Sequence, residues 1–150
     1  MGHTFNKLYF HCVFSTKARR PLIRGPLADR IGDYLGATAR NMDVQIVRCG
    51  GFDEHRHFLL MLKPTILLSD TLRVLKTNSS KWIHETFPDQ AIFEWQAGYS
   101  AFTVSHSLID KTIEYIENQQ EHHRKTTFEE ELKKILDWHG ITYEDAWLRD

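Results

Sequence analysis

Cysteine and proline are scarce in this chain, with two and four respectively among 150 residues. Cys12 and Cys49 lie far apart and lack the spacing of a cysteine metal motif. The first residues, MGHTFNKLYFHCVF, contain no uninterrupted apolar segment of the kind a signal peptide or membrane span needs. A reducing cytoplasm and no membrane partner are therefore expected. Internal repeats, low-complexity tracts and long linkers are absent as well. The length, with 41% hydrophobic and 12% aromatic residues, fits one domain around one core.

Net charge is also small, at −1, but the average hides a split. Up to Trp82 there are 13 Lys and Arg against 6 Asp and Glu; beyond it there are 6 against 14, so the parts carry about +7 and −8. The basic excess includes Lys17, Arg19, Arg20, Arg24, Arg30, Arg73, Lys76 and Lys81. The acid concentrates in a tail containing Glu129, Glu130 and Glu131. Such a basic side suits a polyanion, although solvated surface charge explains any one cluster equally well.

Periodicity predicts strands at Tyr9–Phe14, at Val44–Phe52 and from the stretch EHRHFLL, which opens at Glu54, through Leu62, the last two forming a hairpin. Gly25-Pro26 opens a helix through Leu27, Ile31, Leu35 and Ala39 to about Asn41. Ser69-Asp70 is expected to cap a second helix that ends before Pro88, and Phe93–Trp95 and Ser100–Val104 supply at least one further strand. The order βαββαβ is the split-βαβ, ferredoxin-like arrangement, an α+β fold with both helices on one face of an antiparallel sheet. The other face is left free for a site. A third helix, capped by Ser107, runs through Ile109, Ile113 and Ile116 to about His123. A fourth runs from Phe128 to about His139, with Thr127 and Glu130 as a capping box and Gly140 as its stop.

The stretch EHRHFLL places His55 and His57 on one face of a strand, because successive side chains alternate. Two imidazoles form a two-point metal grip, but a functional divalent site needs at least one more protein ligand and open positions for substrate. On the third helix, Tyr115 and Gln119 lie outside the stripe of Ile109, Ile113 and Ile116 and stack on one flank, with His122 continuing the line. An amphipathic surface accounts for that placement. The sharper reading makes Gln119 a third, neutral oxygen ligand and Tyr115 a phenolic nucleophile beside the ion, suited to a metal-bound phosphodiester.

Taken jointly, FHCVFSTKARRPL, EHRHFLL, LRVLKTNSSKWI, W-x-x-G-Y at Trp95 to Tyr99, and YIENQ resemble the single-tyrosine HUH transposases. This is the family of insertion sequences 200 and 605, including relatives associated with repetitive extragenic palindromes. The resemblance covers nearly the whole chain and implies one HUH transposase domain over residues 1–150, with 126–150 a C-terminal helical extension. It implies metal ligands at His55, His57 and Gln119, the nucleophile at Tyr115, and Mg²⁺ or Mn²⁺ as cofactor. It also implies nicking and rejoining of single-stranded DNA through a 5′-phosphotyrosine intermediate. The expected partners are a DNA hairpin at element ends and a second copy in a homodimer, with the tyrosine helix shared between subunits and strand YFHCVF a candidate contact. Lys17, Arg19, Arg20, Arg73, Lys76 and Lys81 are the candidate hairpin contacts.

Arg56 departs from the pattern, since a large hydrophobe usually separates the two histidines. An ion pair with Asp53 or Glu54, or a place at the strand's edge near solvent, is expected for it. The alternatives to an active transposase are a host-adopted relative binding palindromic chromosomal repeats, a non-catalytic DNA-binding module and a small-molecule metalloenzyme. The acidic extension has no expected role beyond packing Phe128, Leu132 and Leu136, and His122 and His123 are expected to be exposed helix-end histidines.

Overall fold

A computed structural model describes residues 2–149. Four strands build one antiparallel sheet: β1 (Leu8–Ser15), β2 (Gln45–Phe52), β3 (His55–Leu62) and β4 (Ser100–Val104), in the order β2-β3-β1-β4. Helices α1 (Gly25–Asn41) and α2 (Leu68–Thr86) are the two crossovers. This is the expected ferredoxin-like topology.

Strand alternation divides the sheet into two chemically different faces. Cys12 and Phe14 of β1, with Phe58, Leu60 and Leu62 of β3, meet Leu27, Ile31, Leu35, Leu72, Leu75 and Ile83 of α1 and α2 in the main core. The opposite face carries His11 and Val13 from β1 and His55 and His57 from β3, with Val13 directly across from His57. A second apolar cluster covers part of that face, made by Val13 and Phe102 with Phe128, Leu132, Leu136 and Leu148. Phe128, Leu132 and Leu136 belong to α5 (Phe128–Trp138), which starts where Thr127 Oγ1 accepts the Glu130 backbone N–H at 3.2 Å, and Leu148 to a 3₁₀ turn at Asp145–Arg149.

The expected third helix is broken. A 3₁₀ turn at His106–Leu108 precedes α3 (Ile109–Glu117), and α4 (Gln119–His122) follows after Asn118. Ser107 Oγ lies 3.1 Å from Ser105 Oγ and caps nothing. Nor do the side chains of Ser69 or Asp70 cap α2, whose cap position is Leu67. Phe93–Trp95 contributes a single bridge, Trp95 to Thr16, because Trp95 turns into the core beside Phe14.

α3 lies against β2 at Gly50, where a Cβ would meet the Ile116 carbonyl oxygen at 2.3 Å. Glycine at this position lets the helix carrying Tyr115 approach the sheet. Arg56 corrects an expectation: it lies on an interior strand, 6% exposed, with its Nε without a hydrogen-bond partner. Asp53 instead pairs with Arg24 at 2.8 Å and Glu54 with His55 at 2.6 Å, so neither expected ion pair forms. The side chain lies against Gly51, and Arg56 lines a surface cleft together with Gly32 and Glu117. Strand β1, offered above as a dimer contact, is hydrogen-bonded on both sides within the sheet, so core burial explains its residues.

Candidate active site

β3 supplies His55 and His57, both fully buried, on the face opposite α1 and α2. Because α3 is seated on β2 and the chain turns at Asn118, the start of α4 carries Gln119 directly over these rings. Its Oε1 lies 2.9 Å from His55 Nε2. Tyr115, one turn earlier, has its ring 5.5 Å from that of His57.

The other ring nitrogens are held from behind. His55 Nδ1 faces Glu54 Oε1 at 2.6 Å, and His57 Nδ1 faces His11 Nε2 at 2.8 Å. A neutral imidazole has one N–H. With Glu54 accepting it, His55 Nε2 presents a lone pair to the Gln119 oxygen, an arrangement that a shared cation resolves. A carboxylate behind a ligating histidine is a recurring feature of metal sites. The donor set therefore fits a divalent ion held by His55, His57 and Gln119.

α5 adds a residue that sequence reasoning missed. Glu131, 2% exposed, enters the same space. Its Oε1 lies 3.0 Å from His57 Nε2, 3.4 Å from His55 Nε2 and 3.3 Å from His123 Nε2. Its Oε2 accepts the Tyr115 hydroxyl and the Gln119 amide N–H, the latter at 3.0 Å, and lies 3.2 Å from His122 Nε2. A signal was present: Glu131 stands at i+3 from Phe128 and just before Leu132, inside the helix's apolar stripe. His123, expected at the surface, is instead enclosed, its side chain 2% exposed and its Nε2 2.9 Å from Gln119 Oε1.

Burial and this carboxylate set the protonation of the site. Burial lowers His57 to about 4 and His11 to about 3, helped for His11 by its neighbour His57. Burial raises the Tyr115 phenol above its ordinary range, and the nearby Glu131 charge raises it further. Burial alone would raise Glu131, yet hydrogen bonds from His123 and His57 hold it well below the usual carboxylate range. Burial pulls His123 downward, but its bond to Glu131, that carboxylate's charge and the Thr126 carbonyl together move it upward.

The family is decided by residues 4–119, which match the family model described as "Transposase IS200 like". The chain belongs to the IS200-like transposase family. Among curated relatives, the transposase for insertion sequence element IS200 of Salmonella typhimurium is 29% identical over 126 residues, covering 81% of this chain and 82% of that protein. The ISDra2 transposase TnpA of Deinococcus radiodurans is 24% identical over 120 residues, 77% of this chain and 86% of that protein. A solved structure of a putative transposase from Deinococcus radiodurans R1 superposes with a TM-score of 0.66 at 26% identity, covering 79% of this chain and 96% of that one. The REP-associated tyrosine transposase bound to a REP hairpin shares the fold, with a TM-score of 0.61 at 14% identity over 82% of this chain and 73% of that one.

In this transposase-family chain the expected basic contacts are not equivalent. Lys17 pairs with Glu94 at 3.2 Å, Arg73 with Asp70 at 3.8 Å and Lys81 with Glu85 at 3.9 Å, all exposed pairs that cost little to open. Arg20 is exposed. The Arg19 guanidinium sits 4.8 Å from the centre of the Phe128 ring, which itself stacks on His55, so Arg19 stands near the histidine pair. Lys76 is occupied: it donates to the carbonyls of Gln96 at 2.9 Å, of Ala97 at 3.3 Å and of Gly98, and burial lowers it to about 8. Among the described residues, no helix is long and apolar enough to cross a membrane.

Proposed function

We propose that this chain is a metal-dependent transposase that nicks and rejoins single-stranded DNA, with Tyr115 as nucleophile and His55, His57 and Gln119 holding Mg²⁺ or Mn²⁺. The observation that carries the reading is the convergence described above. His55 Nε2 lies 2.9 Å from Gln119 Oε1, and the Tyr115 hydroxyl and His57 Nε2 meet on the same carboxylate. A strand, a helix and a helix start, distant in sequence, bring the four expected residues into one cluster around Glu131.

The bound ion would supply polarisation of the scissile phosphate and fix the line of attack. The remaining chemistry belongs to the chain. Tyr115 Oη forms a bond to phosphorus as the bond from phosphorus to the 3′ oxygen breaks. The phenolic proton leaves Tyr115 and the departing oxygen becomes a 3′ hydroxyl. A second 3′ hydroxyl then attacks the phosphotyrosine and returns the phenol, so one phosphodiester is exchanged for another without an external energy source. Burial and the Glu131 charge raise the pKa of Tyr115 and keep the phenol protonated until ion and phosphate arrive.

The partner proposed is single-stranded DNA carrying a hairpin, consistent with the hairpin-bound relative of the same fold. Lys17, Arg73 and Lys81 are free to exchange exposed pairs for phosphates, Arg20 is exposed, Arg19 lies over Phe128 beside His55, and Lys76 serves by fixing the loop at 96–98. All four expected site residues come from one chain, which supports a site assembled in cis; a homodimer is compatible with it.

The test is incubation with hairpin-bearing single-stranded DNA and Mn²⁺, followed by denaturing electrophoresis. Wild type is expected to give a denaturation-resistant adduct and Tyr115→Phe none. Hairpin binding with no adduct from either protein would favour a non-catalytic DNA-binding relative.

A further inference from the structure

Resting on the metal-site reading above, we propose that Glu131 of the C-terminal helix is a fourth ligand of the ion, and that the extension thereby completes the site within one chain. Residues 4–119 carry the family match, so Glu131 lies outside it. The residue is nonetheless the most connected group in the pocket.

Its two oxygens divide the work. Oε1 faces the Nε2 atoms of His55 and His57 at 3.4 and 3.0 Å, and the ligating atoms of these three residues all lie within 4.8 Å of one another. Oε2 turns to Tyr115 and Gln119. The carboxylate thus joins the ligand cluster to the nucleophile, and one helix position controls both.

Charge supports the assignment. Two imidazoles and an amide are neutral donors, and Mg²⁺ and Mn²⁺ favour anionic oxygen. Without Glu131 the donor set would leave both positive charges of the ion to the DNA phosphate. A buried carboxylate also needs a compensating charge, and Arg or Lys is absent from its partners among the described residues. A cation at the convergence of Oε1, His55 Nε2 and Gln119 Oε1 satisfies all three lone pairs together.

The contrary reading makes Glu131 an occupant that competes with the ion or the scissile phosphate. Mn²⁺ titration of the full chain without DNA separates the two, by calorimetry or by loss of the free Mn²⁺ electron-spin signal. Glu131→Gln preserves shape and removes the charge. Its Mn²⁺ affinity is expected to fall at least about tenfold, as for removal of groups at or just behind a metal, while circular dichroism and the melting transition show a folded chain. Unchanged or tighter Mn²⁺ binding by Glu131→Gln, with binding lost in His57→Ala, would overturn this inference alone. Equal binding by wild type and His57→Ala, or none by wild type, would overturn the metal-site reading beneath it. Should Glu131→Gln fail to fold, electron–nuclear double resonance on wild type with isotope-labelled glutamate carboxyl carbon decides. A coupling to Mn²⁺ is expected, and its absence would overturn the inference.

Discussion

Gly50 shows how a residue with no chemistry of its own governs the site. A methyl group there would collide with the backbone oxygen of Ile116, 2.3 Å away, and backbone cannot rotate aside. Gly50→Ala is therefore expected to push α3 from the sheet, costing about 1–3 kcal/mol as overpacking does, measured by urea denaturation. Adduct formation should fall with it, because α3 positions Tyr115. The Gly-Gly pair was legible as a strand end, but the close approach was not, since it depends on a helix more than sixty residues away in the chain. The histidine pair was legible because strand alternation is local. Glu54 and His11, which fix the backs of those rings, were not: one is the flank of the same motif and the other reads as an ordinary residue of an apolar strand.

At the scale of elements, most boundaries followed from periodicity and punctuation. The Gly25-Pro26 start, the Gly50-Gly51 strand end and the Gly140 stop all stand where the pattern placed them. The failures are physical ones. Asn118 interrupts the helix just after its apolar stripe ends at Ile116, and the interruption aims Gln119 at His55. α5 read as an amphipathic appendage because its acidic first turn suits a helix N-terminus, and only tertiary packing distinguishes Glu131 from Glu129 and Glu130. Thr127 caps this helix, so Thr127→Ala should cost about 1 kcal/mol, the usual loss of an N-cap. Amide hydrogen exchange is the measurement: faster exchange is expected in the first turn of α5, with α1 and α2 unaffected.

For the whole molecule, the buried imidazoles predict a stability that depends on pH in the absence of metal. His57 and His11 are lowered in the folded chain, from 6.5 to about 4 and about 3, so the unfolded chain binds more protons as pH drops below 6.5. Their neutral forms stabilise the fold fully above 6.5, and that stability is lost as pH falls towards 4. Glu131, also lowered, adds to the loss below its ordinary value of 4.5. His123 is raised, so its contribution is complete below 6.5 and declines above it. The melting temperature of the metal-free protein should therefore pass through a maximum near neutrality and fall steeply on the acid side. A melting temperature constant from pH 7 to pH 4 would contradict this pattern of burial. The fold as a whole was readable because βαββαβ allows few topologies. The second face was not, because helices after β4 were free to pack anywhere until the α5 stripe met Val13 and Phe102. The most direct measurement of the central claim is an anomalous difference map at the manganese edge from crystals soaked in Mn²⁺. One strong peak is expected, bonded to His55 Nε2, His57 Nε2 and Gln119 Oε1, beside the Tyr115 hydroxyl. A peak elsewhere, or none at saturating Mn²⁺, would contradict that claim.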